Sequence, residues 1–173
     1  AIVITMIIHY KRFYNLLASI NNGVQGSFLA IMNTASEVGY GNVISALAAF
    51  GIVKMFLLGI SSNPLVSEAI SVSVLAGITG SASGGLSIAL ATLGDTFLET
   101  AKQIGLNPQV LHRVASIACG GLDTLPHNGA VITLLGITGM THKQSYIDIG
   151  MCTVIIPTIS VIAIIILGSM GVV

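Results

Sequence analysis

Only 7% of the 173 residues are charged and 54% are hydrophobic, with a mean hydropathy of +0.97. An ordinary soluble domain carries roughly 25% charged residues, so water cannot be the only solvent of this chain. The formal net charge is +0 and no run of Lys or Arg occurs, which excludes an electrostatic case for nucleic acid or for a polybasic lipid-binding patch.

In chain order, residues 1–12 read as the end of a transmembrane span and its interface. The apolar run 1–8 is too short to cross a bilayer and lacks the basic start and cleavage site of a signal peptide, and His9-Tyr10-Lys11-Arg12 gathers the aromatic and cationic groups expected where hydrocarbon meets water. The expectation is a span whose beginning lies outside this sequence. Residues 13–26 place Phe13, Leu16, Leu17 and Ile20 at helical spacing opposite Asn15, Ser19 and Asn22, the pattern of an interfacial amphipathic helix. Residues 27–63 read as a re-entrant hairpin: two apolar arms, 28–32 and 43–60, flank the polar stretch Asn33-Thr34-Ala35-Ser36-Glu37-Val38-Gly39-Tyr40-Gly41-Asn42.

Residues 64–102 read as a broken transmembrane helix. Pro64 suits a first helical turn, and from Ala69 to Gly94 no formal charge occurs, yet the centre is Thr79-Gly80-Ser81-Ala82-Ser83-Gly84-Gly85, a loop-like composition. Backbone released from a helix within hydrocarbon persists only where protein, water or a ligand satisfies it. The same tract also fits small-xxx-small packing of continuous helices. Residues 109–140 read as a second broken helix, interrupted by Gly120-Gly121-Leu122-Asp123-Thr124-Leu125-Pro126-His127-Asn128-Gly129, and residues 145–173 as a terminal transmembrane helix bent at Pro157. Lys and Arg are shared too evenly among the loops to orient the chain. Cys119 and Cys152 lie in apolar stretches without a CxxC, so packing suits them better than a disulfide or a metal.

Two acids stand alone in the polar interruptions, Glu37 and Asp123. An ionisable group at membrane depth costs about 2.5–3.5 kcal/mol on insertion scales, which makes each a candidate proton carrier, cation ligand or substrate contact; in an extramembrane loop it is simply solvated. His127 either carries protons or hydrogen-bonds a carbonyl freed by Pro126. His112 and His142, beside loop charges, are expected in solvent, and Lys54 is expected to snorkel.

This order of elements resembles the C-terminal half of the gluconate permease family, within the ion transporter superfamily, over essentially the whole chain. Gly80-Ser81-Ala82-Ser83 is similar to the family's Gly-Ser-Ala-Thr/Ser stretch, and Pro126-His127-Asn128-Gly129 to its His-x-Asn-Asp-Ser-Gly segment, although here no acid follows Asn128 and Asp123 lies upstream. The tip Asn33-Thr34-Ala35-Ser36-Glu37 is closer to the hydroxybutyrate permease branch. The resemblance implies a secondary transporter of two inverted repeats, this chain being the second, dimeric, in the inner cell membrane with several spans, moving small hydroxy-carboxylates such as 3-hydroxybutyrate or gluconate with protons.

The physics points the same way, because half-helix N-termini present N–H groups that suit a carboxylate without a buried Arg. Asn33, Thr34, Ser36, Ser81, Ser83, Gly84 and Asn128 are the expected substrate contacts, and Glu37, Asp123 or His127 the ion-coupling group. The expected partners are a small organic anion, protons, the lipid bilayer and a second copy, with no cofactor, metal or catalytic residue. The fold class is an all-α membrane protein with a re-entrant hairpin and broken helices. A passive anion channel is the main alternative, and an intramembrane aspartyl hydrolase using Asp95 and Asp123 a remote one.

Overall fold

A computed structural model describes residues 2–12 and 15–172; the side chains of Ile2, Leu29, Asn33 and Glu37 lie outside the described residues, as do Phe13 and Tyr14 in the stretch read as an interfacial helix. The fold is that of an all-α membrane protein, with no strand among the described residues. The helices are α1 (Ile2–Ile8), α2 (Leu16–Ala46), α3 (Phe50–Leu58), α4 (Pro64–Thr79), α5 (Ala82–Gln103), α6 (Pro108–Ala118), α7 (Gly129–Thr138), α8 (His142–Gly150) and α9 (Ile156–Ser169).

The first difference from expectation is in α2. It runs unbroken for 31 residues through Asn33–Asn42, so the region read as an interfacial helix followed by a hairpin tip is one rod, and the turn comes at Leu47–Ala49, where α2 and α3 meet at 83°. Asn, Ser and Thr each cost well under 1 kcal/mol in a helix interior and Gly about 1 kcal/mol, too little to break a rod with good helix formers on both sides. Leu17, Ile20, Val24, Phe28 and Ile31 are exposed along it, a surface that only lipid or further protein would cover.

The second difference is a reversal. The interruption expected around Ser81–Gly85 is confined to Gly80, in the left-handed region at φ 65°, and extended Ser81; Ala82–Gly85 already form the first turn of α5. The chain does not continue across in the same direction. A Cβ built on Gly85 would lie 2.3 Å from both Cα and N of Ala76, whereas positions nine apart in one straight helix are about 13 Å apart. The two helices therefore fold back as an antiparallel hairpin, and the residues 64–102 read as a broken span are its two arms. Leu65, Val72 and Leu75 from α4 meet Ala89, Leu93 and Phe97 from α5, and Val110, Val114 and Ala118 of α6 complete the core.

Helix starts follow local chemistry. Asn63 and Asn107 each accept a backbone N–H two residues on, from Leu65 and Gln109 at 2.9 Å, with Pro64 and Pro108 at the first helical position. From His142 to Ser169 the chain forms a single 28-residue rod, long and apolar enough to cross a bilayer. Its Met151–Ile155 turn is a π-helix just before Pro157, a widened turn of the kind that accommodates a missing proline N–H. At its far end Gly168 packs so tightly on α6 that a Cβ would fall 2.3 Å from Val110 Cγ1.

Replacing Gly85 by Ala must force the hairpin arms apart, because the obstructing atoms are backbone. Destabilisation of about 1–3 kcal/mol or more is expected in detergent thermal unfolding. Gly94→Ala, whose added methyl has nothing nearer than 3.9 Å, is the control and is expected to be neutral or stabilising. Equal behaviour of the two variants would refute the close hairpin contact.

Candidate functional site

The hairpin turn Thr79–Ser81 meets the α6–α7 interruption, residues 119–128, and the two breaks satisfy each other. Asn128 is the centre. Its Oδ1 accepts from the N–H groups of Ala130 (2.7 Å) and Val131 (3.1 Å), capping α7, while its Nδ2 donates to the Gly80 carbonyl (2.5 Å) and to Asp123 Oδ1 (2.8 Å). With 1% of its surface exposed, the side chain has every donor and acceptor position filled. Expected as a substrate contact, Asn128 has no hydrogen-bonding capacity left for one in this arrangement.

The C-terminal end of α4 is closed by a Schellman-type pair, with Gly80 N–H and Ser81 N–H both reaching the Ala76 carbonyl, the latter at 3.2 Å. The Gly77 carbonyl is taken by His127 Nε2 at 3.0 Å. Because a carbonyl only accepts, Nε2 carries a hydrogen, and the ring sits at the negative end of the α4 dipole. At the positive end of α5, Ser81 Oγ accepts from Gly84 N–H at 3.2 Å, and the Asp123 carboxylate lies beside the Ala82 amide. An acid and a histidine from one break thus sit at the ends of the two hairpin helices whose polarity each complements.

Further hydrogen bonds hold the break itself. Ser73 donates to the Ala118 carbonyl at 2.8 Å, Tyr146 to Thr124 O at 3.0 Å, and His142 Nε2 to Pro126 O at 2.9 Å; Thr124 and Thr153 pair through their hydroxyls. His142 is exposed, as expected, and also engages the Pro126 carbonyl. The long helix passes the turn at Gly41, where a Cβ would lie 3.4 Å from Thr79 Cγ2 and from Ile88 Cδ1.

Of the expected site residues, the fold gathers Ser81, Ser83, Gly84, Asp123, His127 and Asn128. Ser83 is exposed with its hydroxyl 3.5 Å from Ser81 Oγ, and His127 is also exposed, so these two present polar groups to whatever lies over the turn. The remaining four, Asn33, Thr34, Ser36 and Glu37, sit mid-helix in α2 rather than at a hairpin tip. Thr34 is about 10 Å along the helix from Gly41, in an open groove with Ile31, Val38 and Asn42, and Ser36 is exposed; for Asn33 and Glu37 only the backbone is described. Asp95 lies 13 positions into α5 beyond Ala82, about 20 Å from the amide that holds Asp123, so the two acids cannot share a proton and the aspartyl hydrolase loses its geometry.

An apolar groove of about 520 Å³ lies between α4 and α9. Its hydroxyls, Ser73 and Thr158, are spent on the carbonyls of Ala118 and Val154, so it offers an anion nothing. No group of three or more His, Cys, Asp or Glu among the described residues could hold a metal ion. Sequence reasoning missed Gly41, Thr79 and Tyr146, whose roles come only from their neighbours. It also missed Glu68, which is buried in the hairpin although it follows Pro64 like an interface residue.

The chain is 45% identical over 170 residues to the uncharacterized transporter YxjC of Bacillus subtilis (strain 168), a match that covers 98% of this chain and 36% of that protein. It thus spans about a third of the length of the curated relative it matches. No protein-family model matches, and no solved structure does.

Asn128→Ala would leave the Gly80 carbonyl, Asp123 and two α7 amides without their partner. A loss of about 2–3 kcal/mol in thermal unfolding is expected, far above that of an exposed Ser83→Ala substitution. A change within about 0.5 kcal/mol would show that the two breaks are held by other contacts.

Proposed function

We propose that the complete protein is a secondary transporter, a proton symporter of small hydroxy-carboxylates such as 3-hydroxybutyrate or gluconate, and that this chain supplies one of two inverted repeats. The observation that carries the reading is the Asp123 carboxylate held by Asn128 beside the first amide of α5, because that is where a substrate carboxylate would sit. Ionised, Asp123 fills the positive helix end itself. Protonated, it releases that amide to an incoming anion, so proton and substrate bind together and leave together. Ser81, Ser83 and the backbone at Gly84 then surround the substrate, with the exposed Ser83 hydroxyl placed to read a hydroxyl group. His127 is the second candidate for proton passage, since its Nδ1 is not engaged by the Gly77 carbonyl. In α2, Asn33, Thr34, Ser36 and Glu37 become contacts of the remaining half of the transporter or of a second copy rather than of the hairpin turn. The protein is proposed to reside in the inner membrane as a multi-pass homodimer, with no cofactor.

Alternating access in this scheme is movement of the hairpin turn against the α6–α7 break. A passive anion channel would need no acid at the helix end, and the occupied amide favours the symporter.

Asp123→Asn in the full-length protein, reconstituted in vesicles, is expected to lose accumulation driven by an imposed pH gradient while keeping exchange of labelled hydroxy-acid for unlabelled, because exchange moves no net proton. Accumulation at wild-type level would exclude Asp123 as the coupling group. Loss of exchange as well would assign it to binding or folding.

A further inference from the structure

Deep in the hairpin is an acid that the substrate scheme does not use. Glu68 on α4 is 2% exposed, and its Oε2 is sealed from solvent with no hydrogen-bond partner; Ser71, one turn later on the same helix and fully buried, has an equally unpartnered Oγ. These two are the buried side-chain oxygens without a partner among the described residues. Glu68 lies 12 positions before Gly80, about 18 Å along α4, so it cannot touch a substrate held at the hairpin turn.

Nothing nearby neutralises it. The titratable groups on the helices packed against α4 are Lys54 on α3, Asp95, Glu99 and Lys102 on α5, His112 and Arg113 on α6, and Tyr40 and Glu37 on α2; α9 has none. All whose side chains are described are exposed except Lys54, which is half-buried, and none bonds the carboxyl oxygen that is sealed in the core. An ionised carboxylate in such surroundings costs several kcal/mol, whereas a carboxyl holding its proton is neutral. Two oxygens are too few for a metal cation, since magnesium and calcium take about six or more ligands. They suffice for a proton: the two do not bond each other as packed, but three residues apart on one helix face a side-chain rotation brings the Ser71 hydroxyl, which both donates and accepts, to the acid.

We propose that Glu68 and Ser71 form a buried proton-binding site inside the α4–α5 hairpin, separate from the Asp123 site and filled while the hairpin is packed. As a second coupling site it rests on the transporter reading above; as a proton-binding site it does not. The exit to water is short. Asn63, just before α4, is exposed, and Ser67, next to Glu68, ties this turn of α4 to the Leu57 carbonyl of α3 at 3.3 Å. Near the turn the hairpin seam is lined by the small residues Ala76, Gly85 and Ala89.

The test is infrared difference spectroscopy on the full-length protein in lipid, comparing wild type with Glu68→Gln, the uncharged isostere, and Ser71→Ala. A carboxylic-acid C=O band present at neutral pH in wild type, absent in Glu68→Gln and moved in Ser71→Ala is the expected result. Absence of that band from wild type, or its survival in Glu68→Gln, would overturn the proton site, and an unmoved band in Ser71→Ala would remove Ser71 from it. Vesicle uptake then reads the coupling: Glu68→Gln is expected to keep substrate exchange and to lose the dependence of uptake on pH. Unchanged pH dependence would overturn the coupling role. If wild type moves no hydroxy-acid at all, the substrate reading fails while the infrared band still decides the site.

Discussion

Breaking a helix inside a membrane protein uncovers backbone groups that hydrocarbon cannot satisfy, and most of this structure follows from where those groups find partners. The α4–α5 turn uncovers carbonyls at Gly77 and Gly80 and amides at Ala82 and Gly84. One partner is local, the Ser81 hydroxyl; the others are His127, Asn128 and Asp123, all from the second break. Asn128 has the largest share because a carboxamide is the only uncharged side chain that can accept two hydrogen bonds at one helix start and donate two more elsewhere. The two interruptions are stable as a pair, and neither could be left alone in an apolar setting at the same cost.

Close approach is the second condition. Cross-break hydrogen bonds of under 3.2 Å require the hairpin arms and α6 to lie almost in backbone contact, and that contact is made at residues without side chains to obstruct it. Gly85 lies on Ala76, Gly77 against Leu122, Gly80 against His127 and Gly41 against Thr79. In a bilayer no hydrophobic drive pushes helices together, so dispersion between well-fitted backbones and the few polar contacts must hold them. Small residues therefore hold the fold together and also leave the arms able to shift.

The proposed function uses the same arrangement. The groups that complete the two helix ends are titratable, so changing their protonation changes which backbone groups are occupied. A neutral clamp, Asn128, beside a titratable one, Asp123, separates the two tasks: the first keeps the breaks together, the second can let go. Glu68, farther down the hairpin, is buried without any such partner.

The sequence by itself determined the membrane class, the Asn-Pro starts of α4 and α6 and the two places where the chain is interrupted, because charge content, Asn-Pro pairs and Gly-Ser or Pro-His-Asn clusters act through the local backbone. Gly80, Ser81, Asp123, His127 and Asn128 were legible for that reason. Tertiary structure decided the rest. Whether Gly80-Ser81 bends a span or reverses it depends on Gly85 meeting Ala76, a contact between positions with no local signature. Asn33–Glu37 looked like a tip because polar residues and glycines favour turns, yet their helix penalties are small and the long apolar rod on either side overrides them. Glu68 shared its surroundings in the chain with interface residues, and only the packing of α5 and α6 onto α4 enclosed it. Propensities act over a few residues and can mark where a helix stops; burial and partnership depend on segments that meet in space, and those meetings are set by the whole fold.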